Sequence, residues 1–291
     1  MELKKYLVTG GAGFIGSNIV DELVSLGKEV IVVDNFVTGD RKNLEQVMDK
    51  IELVEGDIRD GILMHELCRK VDCVLHQAAL RSVPRSVDDP SSTNDVNING
   101  TLTMLIAARD AGGKKLVYAS SSSAYGDTKE LPKKEEHRPL PISPYAVSKL
   151  TGEHYCRAFA HTFGMDTVSL RYFNVFGPRQ SPFSKYAAVV PIFIKQAMED
   201  TPLTVHGDGK QSRDFTYVKN VVNANILASE AEGVSGQVFN VACNNRYSVL
   251  DIAGEIMKNL DKNVPYEYMP RRAGDVEHTV YYFQFFWCYF N

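Results

Sequence analysis

A glycine-rich turn joins the first apolar strand of the chain to its first helix. The turn reads Gly10-Gly11-Ala12-Gly13-Phe14-Ile15-Gly16 and lies between a β-branched run at residues 3–9 and a helical pattern at residues 14–26. Glycine at positions 10, 13 and 16 permits a tight turn and brings the helix close to the strand. Backbone N–H groups at the helix N-terminus can then approach a pyrophosphate. The turn therefore predicts a dinucleotide-binding strand–turn–helix unit.

Two carboxylates follow the glycine turn at the ends of the next strands. Asp34 lies 18 residues after Gly16, at the end of a strand predicted over residues 29–33. A carboxylate there accepts hydrogen bonds from an adenosine ribose and repels a 2′-phosphate, so the predicted cofactor is NAD. Asp57 follows the third strand. It either contacts the adenine edge or serves as a turn residue, and the sequence leaves both interpretations open.

Strands and helices alternate over the first two-thirds of the chain. The predicted strands span residues 3–9, 29–33, 51–55, 73–77, 115–120 and 166–170, and the predicted helices span 14–26, 59–70, 93–111 and 145–163. This alternation, with strands rich in Val, Ile and Leu, predicts the α/β class: a Rossmann-type doubly wound parallel sheet with helices on both faces. We expect residues 1–173 to form this NAD-binding domain.

The rhythm of the chain changes after residue 173. Shorter strands are predicted at 203–206, 214–217 and 237–241, and helices at 188–199, 218–230 and 250–259, the last capped by Ser248. We expect residues 174–279 to form a smaller C-terminal α/β substrate-binding domain, packed against the carboxyl edge of the sheet. The proline-rich segment 129–144 is predicted to be an ordered loop or a lid. Residues 280–291 form an atypical tail in which eight of twelve residues are aromatic.

The composition excludes several classes of partner. With 32 basic and 36 acidic residues the formal net charge is −4, so there is no basic field for nucleic acid or anionic lipid. The sequence has no apolar run of about 18 residues and no signal peptide, which predicts a cytoplasmic protein without a membrane contact. The five cysteines are scattered and form no C-x-x-C pair, so we expect reduced thiols and no metal site.

A tyrosine and a lysine four residues apart form the second chemical signal. In Tyr145-Ala146-Val147-Ser148-Lys149 the two side chains share one helix face, and a nearby ammonium favours the phenolate. We therefore expect Lys149 to lower the pKa of Tyr145 and make the phenol a general base near neutral pH. The fifth strand ends in four serines, residues 120–123, at the edge where ligands bind in open α/β sheets. A serine there can share the proton of a substrate hydroxyl, so the set indicates hydride transfer at an alcohol carbon.

Several motifs, in this order along the chain, resemble those of a known family. They are Leu7-Val8-Thr9-Gly10-Gly11-Ala12-Gly13-Phe14-Ile15-Gly16, Asp34-Asn35-Phe36, His76-Gln77-Ala78-Ala79, Asn97-Ile98-Asn99-Gly100-Thr101, Ser143-Pro144-Tyr145, Arg171-Tyr172-Phe173-Asn174, Gly207-Asp208-Gly209, Arg213-Asp214-Phe215 and Arg271-Arg272-Ala273-Gly274-Asp275. Over residues 1–279 the chain resembles the extended short-chain dehydrogenase/reductase superfamily. Within it, the chain is most similar to the nucleotide-sugar 4-epimerases that act on UDP-N-acetylglucosamine and UDP-glucose.

The resemblance implies one site for NAD and one for a UDP-sugar. The implied NAD-binding residues are Gly10, Gly13, Phe14, Ile15, Gly16, Asp34, Asn35, Phe36, Thr38, Gly39, Asp57, Ile58, Gln77, Ala78, Ala79, Arg81, Asn97, Tyr145, Lys149 and Phe173. The implied substrate-binding residues are Ser122, Asn174, Gln180, Val189, Arg213, Arg272, Asp275 and Thr279, with the two arginines on the diphosphate and Asp275 on its ribose. The implied catalytic residues are Tyr145 and Lys149 with either Ser121 or Ser122.

The resemblance also implies a reaction and an assembly. Tyr145, aided by Lys149 and the serine, removes the proton of the sugar 4-hydroxyl while hydride passes from C4 to NAD. The 4-keto sugar then rotates and takes the hydride back on its other face, so NAD acts as a bound catalyst. The small residue Thr279 implies that UDP-GlcNAc and UDP-glucose are both accepted, whereas a bulky aromatic residue restricts these enzymes to plain hexoses. Helices matching residues 93–111 and 145–163 imply a homodimer.

Three alternatives compete with 4-epimerisation. A dehydratase of the same superfamily carries an Asp-Glu pair where this chain has Ser122 and Ser123, which disfavours dehydration. A UDP-glucuronate decarboxylase or 4-epimerase shares the serine–tyrosine–lysine chemistry. Arg81 and Arg85 offer charges for its carboxylate, although contacts to NAD and ordinary surface charge are the favoured interpretation of both residues. The third alternative is a non-catalytic nucleotide-binding protein, if the aromatic tail disables the site. An altered reading frame and an apolar tail that packs against a partner both explain residues 280–291.

Overall fold

A seven-stranded parallel β-sheet forms the centre of the structure. The computed structural model describes residues 3–128, 130–183 and 188–270. The strands of the sheet are β1 (Lys5–Thr9), β2 (Glu29–Asp34), β3 (Ile51–Glu55), β4 (Cys73–His76), β5 (Lys115–Ser121), β6 (Thr167–Tyr172) and β11 (Gln237–Val241). Their order across the sheet is β11-β6-β5-β4-β1-β2-β3, and all neighbouring pairs run parallel. The strand order reverses at β1 and β4, and the carboxyl ends of these two strands therefore border a crevice.

Helices cover both faces of the sheet. They are α1 (Phe14–Ser25), α2 (Gly61–Arg69), α3 (Val83–Asp88), α4 (Pro90–Asn94), α5 (Gly100–Asp110), α6 (Pro144–Phe163), α7 (Val189–Met198), α8 (Val218–Glu230) and α9 (Val249–Leu260). Two 3-10 helices, Arg41–Lys50 and Ser122–Tyr125, and a π-helical turn, Asp95–Asn99, supplement them. The π-helical turn joins α4 to α5, so the predicted helix at residues 93–111 begins within α4.

Each face of the sheet has its own apolar core. α1 and α8 cover one face, where Val8, Val32 and Phe239 are buried. α2, α5 and α6 cover the other face, where Leu7 and Ile31 are buried. Successive strand residues point to opposite faces, so the neighbours Leu7 and Val8 belong to different cores. The predicted doubly wound α/β fold is confirmed.

The remaining strands build a smaller lobe. β7 (Val175–Phe176) pairs with β10 (Thr216–Tyr217), β9 (Ser212–Arg213) with β12 (Tyr247–Ser248), and β8 (Leu203–His206) with β13 (Tyr266–Met269). α7 and α9 pack around a third apolar cluster that includes Phe193, Val205 and Ala253. Ser248 caps α9 in a capping box with Asp251, which confirms its predicted role.

The chain does not divide between the sheet and the smaller lobe at residue 173. α8 and β11, which were predicted in the C-terminal domain, return to the large sheet, where β11 pairs with β6. This pairing satisfies backbone groups at the edge of β6, and Phe239 of β11 joins the core under α8. Residues 218–241 therefore belong with the sheet.

Candidate active site

A cleft of about 730 Å³ runs along the carboxyl ends of the central strands. It extends from the glycine turn past Asp34 to Tyr145 and Lys149 on α6. The predicted cofactor residues in its wall are Gly10, Gly13, Phe14, Ile15, Gly16, Asp34, Asn35, Thr38, Ile58, Gln77, Ala78, Ala79, Arg81, Tyr145 and Lys149. The predicted substrate residues in its wall are Ser122, Asn174, Gln180 and Arg213. One continuous cleft therefore holds residues from both predicted sites.

The geometry of the glycine turn explains why glycine is required there. Gly10 has a φ of +65°, and a Cβ atom on it would lie 2.8 Å from the Cα of Ala78. A Cβ on Gly16 would lie 2.2 Å from the carbonyl oxygen of Gly10. Among the described residues, no side chain caps α1 at Gly13, and no acidic residue lies in its first turn. The first amides of α1 can therefore bind a phosphate, and this cradle fits the diphosphate of NAD.

Asp34 presents a nearly buried carboxylate to the cleft. It is 6% exposed, and its oxygens accept hydrogen bonds from the amides of Ala12 (2.9 Å) and Phe36 (2.9 Å). Burial raises the pKa of Asp34 above its ordinary value, and the two amides oppose that shift. A Cβ on Gly39 would lie 2.8 Å from Asp34 Oδ2, so Gly39 leaves room for the carboxylate. Phe36 and Gly39 thus position Asp34 from behind the cleft wall, and its remaining lone pairs suit ribose hydroxyls.

Asp57 also lies behind the cleft wall. Its carboxylate accepts hydrogen bonds from Arg59 (Nε, 2.9 Å; Nη2, 2.8 Å) and from Asn35 Nδ2 (2.9 Å). These bonds, that from Arg59 above all, hold the pKa of Asp57 far below its usual range. Asn35, Ile58 and Arg59 themselves line the cleft. Asp57 thus orients its neighbours Asn35 and Arg59, as a turn residue does, and its contact with the adenine edge stays a prediction.

Two further predicted cofactor residues, Asn97 and Phe173, are buried in the interior. Asn97 is 1% exposed, and its side chain bonds the amide (2.8 Å) and the carbonyl (3.1 Å) of Leu80 and the hydroxyl of Ser148 (3.0 Å). It thereby fastens the cleft-lining Leu80 to α6. Phe173 is buried against Tyr125, with ring centroids 6.2 Å apart. Neither Asn97 nor Phe173 lines the cleft itself.

Burial sets the proton affinities of Tyr145 and Lys149. It raises the pKa of the Tyr145 phenol, while a hydrogen bond with Ser121 and the charge of Arg81 act in the opposite direction. The Lys149 ammonium is 4% exposed and donates to the carbonyl oxygen of Ala119 at 2.7 Å. Burial lowers the pKa of Lys149 to about 7.

The prediction that Lys149 lowers the pKa of Tyr145 is therefore wrong. The phenol is desolvated, and the Lys149 side chain is directed at the Ala119 carbonyl instead. At neutral pH the member of this pair that changes its charge is Lys149. The pair still takes up or releases one proton near neutral pH, as a general base must.

The serines at the end of β5 differ in their contacts. Ser121 bonds the Tyr145 phenol, and its oxygen also accepts hydrogen bonds from the hydroxyl (2.9 Å) and amide (3.2 Å) of Ser123. Ser122 lines the cleft at the start of a 3-10 helix. Ser120 donates inward to Glu153. Contact with Tyr145 thus favours Ser121 among the two predicted catalytic serines.

A second cavity of about 230 Å³ adjoins the cleft at Asn174, Gln180 and Arg213, which line both. Its wall is mainly apolar and contains Val189, a predicted substrate residue that does not line the cleft. Arg213 is half-buried, and its Nη1 donates to the carbonyl of Ser212 at 3.0 Å. Three other predicted substrate residues, Arg272, Asp275 and Thr279, lie outside the described residues. The two cavities form an extended binding surface with a cation where they meet.

A set of polar side chains that orients Gln77 was not predicted. The Tyr172 hydroxyl donates to Gln77 Oε1 (3.1 Å), Gln77 Nε2 donates to Asn225 Oδ1 (2.9 Å), and Asn225 Nδ2 donates to the Tyr172 hydroxyl (2.8 Å). Tyr172 also lines the cleft, and its place in the Arg-Tyr-Phe-Asn motif was a signal for it. Asn225 lies 148 residues after Gln77, and no local pattern connects the two.

The functional groups of the cleft are amides, hydroxyls, two phenols, an amine, a carboxylate and guanidiniums. In the ranges that the structure describes, no group of three or more His, Cys, Asp or Glu side chains is arranged to hold a metal ion. No helix within the same ranges is long and apolar enough to cross a bilayer. These groups can bind a dinucleotide and move a proton.

The sequence of this chain is similar to those of known proteins. A family model described as the NAD dependent epimerase/dehydratase family matches residues 6–242. A putative UDP-glucose 4-epimerase of Methanocaldococcus jannaschii is 38% identical over 272 residues, which cover 93% of this chain and 87% of that protein. A UDP-N-acetyl-alpha-D-glucosaminuronate decarboxylase of Bacillus cytotoxicus is 37% identical over 258 residues, which cover 87% of this chain and 79% of that protein.

A solved structure of a related enzyme is similar to this chain in fold. The UDP-N-acetylglucosamine 4-epimerase of Methanobrevibacter ruminantium M1, solved in complex with UDP-N-acetylmuramic acid, matches with a TM-score of 0.92 at 39% identity. The match covers 97% of this chain and 90% of that chain. The superfamily that the motifs indicated and its NAD cofactor are both confirmed. The chain is an enzyme of the NAD dependent epimerase/dehydratase family.

Proposed function

We propose that this enzyme interconverts the two C4 epimers of a UDP-hexose, with NAD that stays bound through each turnover. The observation that carries the proposal is the continuous cleft, in which the glycine turn and Asp34 lead to Ser121, Tyr145 and Lys149. A dinucleotide held by the turn and Asp34 would extend toward these three side chains. Relatives named as UDP-sugar 4-epimerases support the same class of reaction.

NAD, when bound, supplies a hydride acceptor and donor. The chain supplies binding and proton transfer: the first amides of α1 would hold the diphosphate, and Asp34 the adenosine ribose. Tyr145, whose phenol is protonated, would take the proton of the sugar 4-hydroxyl while its own proton passes to the neutral amine of Lys149, with Ser121 as its hydrogen-bond partner. Because the pKa of Lys149 is about 7, its amine can bind the proton that the Tyr145–Lys149 pair takes up near neutral pH.

The same residues would serve the return step. After the 4-keto sugar has turned, the proton held by the pair returns to the 4-oxygen and C4 regains hydride on its other face, so no reactant is consumed. A turning sugar needs a firm hold on the diphosphate and a loose hold on the hexose. Arg213 would bind the diphosphate by charge-assisted hydrogen bonds, beside Asn174 and Gln180.

We infer that both N-acetylated and plain UDP-hexoses are substrates. The support is the family resemblance, in which the small Thr279 admits an N-acetyl group. Replacement Thr279→Tyr is expected to abolish the reaction of UDP-GlcNAc and to spare that of UDP-glucose. Equal loss of both reactions would refute the role of Thr279.

Proton NMR tests the proposed reaction. The purified protein is incubated separately with UDP-GlcNAc, UDP-glucose and UDP-glucuronate, first without added NAD and then with it. The anomeric signals of the 4-epimer are expected to appear from the first two sugars, and to stay absent with the variant Tyr145→Phe. A folded protein that binds NAD and yields no product from any of these sugars overturns the proposal.

Arg81 favours a second candidate, a UDP-sugar that carries a carboxylate. Arg81 lies in the cleft wall and acts on Tyr145 through its charge. A uronate carboxylate can form charge-assisted hydrogen bonds with it. One relative bears the name of a UDP-sugar uronate decarboxylase. Ser122 and Ser123, which are hydroxyls, do not offer the acid–base pair that dehydration needs.

The same NMR experiment separates this candidate from the first. An epimer or a carboxyl-free product from UDP-glucuronate, lost in Arg81→Leu, is the expected sign of uronate chemistry. Arg85→Leu is the matched control, because Arg85 lies on α3 and not in the cleft wall. Turnover of UDP-glucuronate that is equally unaffected by both replacements would argue against Arg81 as the carboxylate site.

We infer further that the enzyme is a cytoplasmic homodimer. α6, one of the two helices expected at the interface, carries the exposed apolar side chains Val147 (46%) and Phe163 (49%). Sedimentation equilibrium is expected to give the mass of two chains. A single-chain mass at all micromolar concentrations would contradict the dimer.

A further inference from the structure

Two oppositely charged side chains are buried directly behind the proton-transfer pair. Glu153 and Arg171 are each 3% exposed and form a two-pronged ion pair, with Arg171 Nε 2.8 Å from Glu153 Oε1 and Nη2 2.7 Å from Oε2. Neither lines the cleft, so the proposed reaction gives neither a contact with substrate or NAD. We propose that Glu153 and Arg171 are positioning residues, which set the charge of Lys149 and thereby the pH at which the enzyme works.

Helical spacing places Glu153 next to Lys149. Tyr145, Lys149 and Glu153 follow one another at intervals of four residues on α6, so they share one face of the helix. Ser120 of β5 donates its hydroxyl to Glu153, and the preceding residue, Ala119, accepts the Lys149 ammonium at 2.7 Å. Consecutive residues of β5 therefore hold both side chains of α6 in place.

Glu153 is the charged neighbour of Lys149. The titratable groups around Lys149 are Tyr145, Glu153 and Cys156 on α6, Tyr118 on β5, and His76 on β4. Burial raises the pKa of Tyr118 well above its ordinary value and that of Cys156 to about 12, and it lowers the pKa of His76 to about 3. These three groups are therefore neutral at pH 7, as is Tyr145. Glu153, which is paired with Arg171, is therefore the neighbour whose attraction most favours the Lys149 ammonium against burial.

A buried ion pair contributes little net stability, because desolvation offsets the attraction between its members. Its place beside Lys149 therefore suggests a role in tuning charge. Removing the charge of Glu153 would take away the carboxylate that attracts the Lys149 ammonium and would leave Arg171 without its partner, which disfavours the ammonium. Removing the charge of Arg171 would leave Lys149 next to an uncompensated carboxylate and favour the ammonium. The two replacements should move the working pH in opposite directions.

The pH profile of kcat/KM tests this inference, which rests on the proposed epimerase reaction. The wild-type profile is expected to rise with a midpoint near pH 7, since the pair must be able to take up a proton. In Glu153→Gln the midpoint should fall by about one pH unit, and in Arg171→Met it should rise by about as much. Glu153→Asp and Arg171→Lys keep the charges and should keep the wild-type midpoint. A merely structural role would lower activity without moving the midpoint.

A second measurement follows Lys149 without substrate or NAD. Unfolding free energy is measured against pH for the wild type and Lys149→Met, and their difference reports the protonation of Lys149 in the folded protein. The same comparison in the Glu153→Gln and Arg171→Met backgrounds gives the shifted midpoints. If Glu153→Gln does not fold, Arg171→Met alone tests the inference, which requires that the midpoint of Lys149 protonation rises in this variant.

The outcomes keep the two proposals apart. An unmoved midpoint in a folded variant overturns the inference and leaves epimerase activity standing. A wild-type protein that is inactive on every UDP-sugar, with opposite shifts of Lys149 in the substrate-free measurement, overturns the proposed reaction and supports the charge-setting role.

Discussion

The two ends of the cleft are built in different ways. At the cofactor end, the glycine turn and Asp34 lie within residues 10–34, and backbone shape determines what can bind there. At the proton-transfer end, Ser121 comes from β5 and Tyr145 and Lys149 from α6, and burial determines their proton affinities. Binding at the cofactor end therefore depends on the space that the backbone leaves. Proton transfer at the other end depends on how burial shifts the pKa values of Tyr145 and Lys149. Binding and chemistry should accordingly fail separately when each end is altered.

The largest separation is expected from Tyr145→Phe. Removing the phenolic hydroxyl removes the proton acceptor, so turnover should fall by about a thousandfold. NAD affinity, measured by calorimetry, should stay within about twofold of the wild type, because the glycine turn is untouched. Tyr268→Phe, at an exposed position on β13, is the matched control and should behave as the wild type. An equal loss of binding and turnover would mean that the two ends are not independent.

The converse change is Gly16→Ala. The added Cβ would lie 2.2 Å from the carbonyl oxygen of Gly10, so α1 must move away from the turn. NAD affinity is expected to fall by about a hundredfold, which equals about 2.7 kcal/mol. Gly254→Ala on α9 is the control, because a Cβ there meets no atom within 4 Å. Unchanged NAD affinity in Gly16→Ala would contradict the claim that the glycine turn and α1 hold the diphosphate of NAD.

Smaller effects distinguish the serines. Ser121→Ala removes the hydrogen bond to Tyr145 and should lower kcat by about 30-fold, as expected for about 2 kcal/mol. Ser122→Ala, the matched change one residue later, should lower kcat by less than about threefold. The reverse order would assign catalysis to Ser122.

The pH dependence of the free energy of unfolding tests the proton-transfer end of the cleft through one charge, that of Lys149. The pKa of Lys149 is about 7 in the folded protein, below its ordinary value of 10.5, so the unfolded chain binds more protons between these values. Lys149 therefore makes stability rise with pH from about 7 to 10.5, at about 1 kcal/mol per pH unit. Lys149→Met should lack this rise in urea unfolding. The same slope in both proteins would show that Lys149 is not the depressed group.

The sequence predicted the parts of the site that depend on local spacing. The glycine turn, Asp34 and the Tyr145–Lys149 spacing each lie within one strand–turn–helix unit or one helix, where sequence distance fixes geometry. The doubly wound sheet followed from the alternation of strands and helices. These features need no knowledge of which distant segments meet.

The features that escaped prediction depend on burial or on distant contacts. The pKa of Tyr145 is raised because folding desolvates it, which helical spacing alone does not reveal. The bond between Gln77 and Asn225 joins residues 148 apart, and β11 joins the sheet from beyond the predicted domain boundary. A carboxylate at a strand end suits a ligand or a turn equally well. The sequence therefore did not reveal that Asp57 accepts hydrogen bonds from its neighbour Arg59.

Deuterium at C4 of UDP-glucose tests the central claim most directly. If hydride leaves C4 and returns to the same carbon, the UDP-galactose that forms should retain the label at C4, and no deuterium should enter the water. Mass spectrometry and proton NMR of the product measure both quantities. Product without the label, or no product from folded, NAD-bound protein, would contradict the account.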